Sequence, residues 1–126
     1  MITISKEQVK RLHEKQLDAT GGLNGVRDEN LLESALSAAF QSFNGVYLYP
    51  SIEAKIARIA YGLVSNHPFV DGNKRIGTYV MLILLELNNI KADFTDKDII
   101  RIGMELASGE INETQLLSVI LEFSKT

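Results

Sequence analysis

The chain contains no cysteine, which excludes disulfides, thiolate nucleophiles and cysteine-based zinc sites. It also lacks a long apolar run. The longest, Tyr79 to Leu85, falls far short of the roughly 20 residues a membrane-spanning helix requires. No secretory leader pattern opens the chain, because Lys6, Lys10 and Arg11 interrupt any apolar stretch there. A cytoplasmic location and no membrane partner are the corresponding expectations. There is no basic stripe, and the net charge of −3 argues against direct nucleic-acid binding. Strands of ordinary length, internal repeats, low-complexity segments and linkers are equally missing from the pattern.

What is present is ordinary for a globular protein: 126 residues, 45% hydrophobic and 23% charged, enough for one domain spanning residues 1–126 with a proper core. The periodicity predicts an all-α bundle of about six helices. Ser5 with Gln8 forms a capping box, with Ile4 and Val9 as its staple, and opens a first helix running to about Ala19. Gly21, Gly22, Asn24 and Gly25 then read as a loop. Asp28 caps a second helix whose apolar stripe runs from Leu31 to Phe43, with Asn44-Gly45 ending it. Val46 to Pro50 is aromatic and β-favouring, either a surface connection with its tyrosines packed down or a flap beside a site. Ser51 caps a third helix with Ile56, Ile59, Ala60, Leu63 and Val64 inside, and Lys55 and Arg58 on a solvated face. A fourth, from Asn73 to about Asn88, is apolar almost all round, as expected of a buried central helix. Thr95 with Asp98 opens a fifth that closes at Gly109, and Asn112 with Gln115 opens the last, to about Phe123.

Between the third and fourth helices lies His67-Pro68-Phe69-Val70-Asp71-Gly72-Asn73-Lys74-Arg75-Ile76-Gly77, the most informative stretch of the chain. Pro68 disfavours a helical conformation for His67, so the helix parts from the loop there. The fourth helix then begins with unpaired amides and two cations, Lys74 and Arg75. Cations are unfavourable at a helix N-terminus by a few tenths of a kcal/mol or more, unless an anion sits between them and the amides. His67 supplies an imidazole able to take a proton from a hydroxyl. Asp71 is either a turn residue or a carboxylate able to share a Mg²⁺ with phosphate oxygens. Phe69 is expected to anchor the loop in the core, and Asn73 could be simply a cap. His13 is expected on the surface or in packing.

This spacing resembles the motif of the Fic and death-on-curing (Doc) proteins, together the Fido family: His-x-Phe-x-Asp/Glu/Asn-x-Asn-Gly/Lys-Arg. His67, Phe69, Asp71, Asn73, Lys74 and Arg75 match it in order. Adenylylating Fic enzymes usually have glycine where Lys74 stands, and a second arginine where Thr78 stands; both departures resemble the Doc branch. The resemblance implies a toxin that moves the γ-phosphate of ATP to a Ser or Thr hydroxyl of a protein target. His67 would be the base. Asp71 would hold Mg²⁺ on the nucleotide phosphates or orient the substrate hydroxyl, and Phe69, Gly72, Asn73, Lys74 and Arg75 would form the nucleotide site. It further implies elongation factor Tu as target, growth arrest as effect, and a small antitoxin as partner, with the groove beside the first helix and the glycine loop to receive it. The segment Val46 to Pro50 would correspond to a target-aligning flap.

Three other functions compete. An adenylyltransferase is the nearest in sequence. A catalytically dead interaction domain runs against the intact set of motif residues. A metal-dependent hydrolase would need His67 and Asp71 as ligands, with His13 the only other histidine to help.

Overall fold

The computed structural model describes residues 1–125. Six α-helices make up the body: α1 (Lys6–Thr20), α2 (Glu29–Ser37), α3 (Ile52–Ser65), α4 (Asn73–Leu87), α5 (Asp96–Ser108) and α6 (Glu113–Phe123). Their starts follow from local chemistry. Ser5, Thr95 and Asn112 each close a reciprocal capping box, and Asp28 and Ser51 each accept an amide hydrogen bond from the third residue on. The exception is α4, whose N-cap is Gly72 in the left-handed conformation, with no side chain to offer.

Helix α3 is the most enclosed element, with Ala54 to Ala57, Ile59, Ala60 and Gly62 to Val64 all buried; α4, α6, α2 and α5 pack around it. The helix after the motif loop, α4, shares this centre through Ile76, Val80, Met81, Leu84 and Leu85 but leaves Tyr79 and Leu87 exposed. Gly77 permits the close approach of the pair, since a Cβ there would lie 2.5 Å from Val64 Cγ2. All the largest buried side chains belong to one contiguous hydrophobic cluster.

The second helix is shorter than its apolar stripe suggests. It ends at Ser37, passes through a 3-10 turn at Ala38–Phe40, and gives way to a hairpin of β1 (Ser42–Phe43) and β2 (Val46–Tyr47). Asn44 and Gly45, both at positive φ, form the hairpin turn rather than a helix end. Phe43 is therefore exposed instead of completing the stripe. Lys55 is not on a solvated face either: it is buried, donates to the carbonyls of Tyr49 and Pro50, and lies 4.0 Å from the Tyr47 ring centroid. β2 supplies an aromatic face and the segment leaving it two main-chain acceptors, which together offset desolvation of the ammonium. Arg58 is half-buried over the Tyr61 ring. A second short pairing, β3 (Lys91–Ala92) with β4 (Ser124–Lys125), ties the segment after α6 to the segment after α4.

Candidate functional site

The loop between α3 and α4 is built by three sets of contacts. At its start, Asn66 caps α3 and His67 takes φ +49°, a left-handed conformation that costs most residues roughly 1 kcal/mol. Arg27 holds this turn from outside: its Nε donates to the His67 carbonyl at 2.7 Å and its Nη2 to that of Asn66 at 2.9 Å. The main chain around Arg27 also pairs with the loop. Arg27 and Asp28 amides both donate to the Pro68 carbonyl, the Val70 amide donates to Gly25, and Val26 bridges Phe69. The glycine loop thus lies along the motif like a short extra strand.

In the middle, Asn73 folds its side chain back onto the main chain of Phe69, accepting from its amide and donating to its carbonyl, both at 3.0 Å. Phe69 is 1% exposed and stacks on His13 with ring centroids 3.8 Å apart and planes 14° apart. It does not line the groove described below, so its place is under the loop and not against a ligand. Asn73 lines the groove, yet its amide group is committed to Phe69. His13 is itself buried, at 1% exposure, and its Nε2 lies 2.7 Å from the Asp71 carbonyl oxygen. That packing role was one of its two expected fates; its contact with the motif loop was not anticipated.

At the end of the loop, the Asp71 carboxylate is exposed, with one oxygen accepting from the Gly72 amide at 2.8 Å and the other from the Leu23 amide at 3.3 Å. Because Gly72 has no side chain and Asp71 turns to the Gly72 amide, nothing among the described residues caps the amides of Asn73, Lys74 and Arg75. The first bond of α4 runs from the Ile76 amide to the Gly72 carbonyl. Beside these open amides, Lys74 is exposed and its ammonium has no hydrogen bond or ion pair among the described residues. Arg75 reaches back instead, its Nη1 donating to Thr20 Oγ1 at 2.6 Å. Thr78 is buried and turns its hydroxyl onto the Lys74 and Arg75 carbonyls. Its methyl group lies 3.5 Å from the Cβ that Gly103 of α5 lacks.

These residues open onto a groove of about 750 Å³. His67, Asp71, Gly72, Asn73, Lys74 and Arg75 line one side; Leu17, Thr20, Gly21 and Gly22 of α1 and its following loop form one end; Ile99, Ile100, Met104 and Ala107 of α5 form the facing wall. The groove therefore combines a cationic, amide-rich floor with an apolar wall, a combination suited to a ligand with a phosphate end and a flat organic end. An exposed imidazole stands on the same rim. No helix among the described residues is long and apolar enough to cross a membrane.

Comparison with known proteins bears on this arrangement. The model of the Fic/DOC family matches residues 3–85, which takes in the glycine loop, the motif loop and most of α4 but not the α5 wall. A curated relative, Toxin Doc of Mycolicibacterium smegmatis, is 37% identical over 78 residues, 60% of this chain. The match likewise spans 60% of that relative's own length.

Proposed function

This chain belongs to the Fic/DOC family, and we propose that it acts as the toxin of a toxin–antitoxin pair, phosphorylating a Ser or Thr hydroxyl of a protein with ATP. The observation that carries this reading is the uncapped start of α4. Three unpaired amides and the unpaired Lys74 ammonium face one groove with His67 on its rim. Unpaired donors and a free cation in that position favour an anion, and the apolar α5 wall favours an adenine base at the other end.

The chemistry asked of these groups is modest, since phosphoryl transfer depends on positioning and on spreading charge. His67, as neutral imidazole, takes the proton of the attacking hydroxyl. The hydroxyl oxygen forms the new bond to the γ-phosphorus as the bridge to the β-phosphate breaks, and ADP leaves. Lys74 and the Asn73 to Arg75 amides stabilise the oxygens of the transferring group. Arg75 sits beside them, braced by Thr20. Asp71 fits a shared Mg²⁺ site: its carboxylate is exposed, and each oxygen uses one acceptor position on a main-chain amide and keeps another. Mg²⁺ held there with phosphate oxygens would supply further charge neutralisation. A metal hydrolase is less well supported, because no three His, Cys, Asp or Glu side chains converge among the described residues.

The toxin name of the Mycolicibacterium smegmatis relative supports an antitoxin partner here, and the groove beside α1 and the glycine loop is its proposed seat. Elongation factor Tu is the proposed target, in the cytoplasm. The test is a paired transfer assay with Mg²⁺ and elongation factor Tu, using ATP labelled at either the γ- or the α-phosphate. Label on the target from the γ-position alone, abolished in His67→Ala, is the expected result. Label from the α-position would replace phosphorylation by adenylylation, and undiminished transfer by His67→Ala would refute the base assignment.

A further inference from the structure

The motif loop carries its functional groups on a segment with little regular structure, so something outside it must set the position of Asp71 and Gly72. The Asn73 clamp fixes Phe69, and Arg27 fixes His67. Neither touches the peptide between Asp71 and Gly72.

That peptide is held by His13. A carbonyl oxygen can only accept, so the 2.7 Å contact with the Asp71 carbonyl requires the proton on Nε2. The face of the same ring is stacked on Phe69, so the donor's direction is fixed by a core side chain and not left to a free rotor. Gly72, at φ +80°, passes close over the ring; a Cβ at that position would lie 3.5 Å from Nε2. Any buried imidazole N–H needs an acceptor, and this one takes it from the motif loop. Here one ring makes two contacts two residues apart in the motif: its face meets the Phe69 side chain and its edge meets the Asp71 carbonyl.

We propose that His13 is a positioning residue of this site, which aims the Asp71 carboxylate and the Gly72 turn by holding the Asp71 carbonyl from beneath. The proposal rests on reading the groove as a nucleotide-phosphate site only for its effect on turnover; its effect on loop geometry stands apart from that reading. His13 reaches neither substrate nor metal, being sealed under the loop. It acts through main chain, so the hydrogen bond matters more than the size of the ring.

Two variants separate the donor from the packing. His13→Phe keeps an aromatic face against Phe69 and removes the donor, whereas His13→Gln keeps an N–H donor and removes the ring. Three quantities are measured on each: melting temperature, the amide resonances of Gly72 and Asn73 in a ¹⁵N-labelled sample, and the phosphate-transfer rate with its dependence on ATP and Mg²⁺. His13→Phe leaves the Asp71 carbonyl without its donor and so is expected to melt moderately below the wild type, to shift or broaden the Gly72 and Asn73 resonances, and to lower kcat at least tenfold. The Mg²⁺ needed for half-maximal rate should rise, while KM for ATP changes less than threefold. His13→Gln should melt lower than His13→Phe yet recover part of the rate, an inversion that a purely structural role cannot produce. Rates that simply follow melting temperature across the two variants would overturn the proposal, as would unmoved Gly72 and Asn73 resonances in His13→Phe. Should the wild type transfer no phosphate at all while those resonances move in His13→Phe, the proposed function fails and the positioning role stands.

Discussion

Asn73 separates two readings of the motif, because its amide could hold a phosphate or hold the loop. In the structure both polar atoms are spent on Phe69, one bond in each direction at 3.0 Å. Asn73→Ala removes both. A main-chain amide and carbonyl then lose their partners beside a side chain that is 1% exposed. Each bond contributes about 1 kcal/mol net, and a buried group left unsatisfied costs about 1–3 kcal/mol. Partial hydration at the groove edge lowers the sum, so we expect a loss of about 2 kcal/mol, equivalent to a fall of roughly 6–10 °C in melting temperature for a domain of this size. Asn73→Asp keeps an acceptor for the Phe69 amide but sets an anion against the Phe69 carbonyl, with some relief from the α4 N-terminus. It should fall between Asn73→Ala and the wild type in stability. Urea denaturation followed by circular dichroism measures this, provided the m-value is unchanged. If Asn73→Ala lost phosphate transfer but stayed within about 0.5 kcal/mol of the wild type, the clamp would be wrong and Asn73 would be a phosphate ligand.

Two further outcomes follow from packing and charge. Gly77→Ala places a Cβ 2.5 Å from Val64 Cγ2 and 3.3 Å from the Ala60 carbonyl; overpacking of about 1–3 kcal/mol should outweigh a helix-propensity gain of about 1 kcal/mol, and a net rise in stability would refute the α3–α4 approach. Asp98 has its carboxyl held below the usual range by the Thr95 amide first, then by the Thr95 hydroxyl and Arg101. A depressed folded-state value means this stability is present in full at neutral pH and is lost as the pH falls below about 4. The advantage of the wild type over Asp98→Asn in thermal melts should therefore shrink progressively on acidification, and an advantage that does not diminish at all as the pH falls through the carboxylate range would contradict the linkage.

The helices were legible where a single local mechanism decides them. Ser5, Asp28, Ser51, Thr95 and Asn112 are all caps whose partners lie three residues away, so sequence spacing alone determines the contact. The stripe from Leu31 to Phe43 misled because helical spacing of apolar residues says nothing about where the helix stops. Asn44-Gly45 is equally good at ending a helix and at turning a hairpin, and the choice belongs to the strand pairing of Ser42 with Tyr47. Lys55 was misplaced for a related reason. Its acceptors, Tyr49 and Pro50, are close in sequence, but only the hairpin's path turns their carbonyls toward it.

Within the candidate site the division runs between chemistry and support. His67, Asp71, Lys74 and Arg75 stand within nine residues of one another, and all line the groove. Their supports lie far away in the chain: His13 is 58 residues from Asp71, Arg27 is 40 from His67, and Thr20 is 55 from Arg75. No spacing rule reaches that far. One clue was nonetheless available: the first helix and the glycine loop together hold one histidine, two arginines (Arg11 and Arg27) and three closely placed glycines, Gly21, Gly22 and Gly25. Gly22 explains part of that cluster, since a Cβ there would meet the Asp71 carboxylate at 2.9 Å. The first 28 residues thus constrain the motif from beneath through His13, from the side through Gly22 and Leu23, and from behind through Arg27. A peptide of residues 67–77 would carry every group the chemistry needs, yet in water its backbone entropy, of order 1–2 kcal/mol per residue, would leave His67, Asp71 and Lys74 without a common direction. The geometry of this site is a property of α1 and the glycine loop as much as of the motif itself.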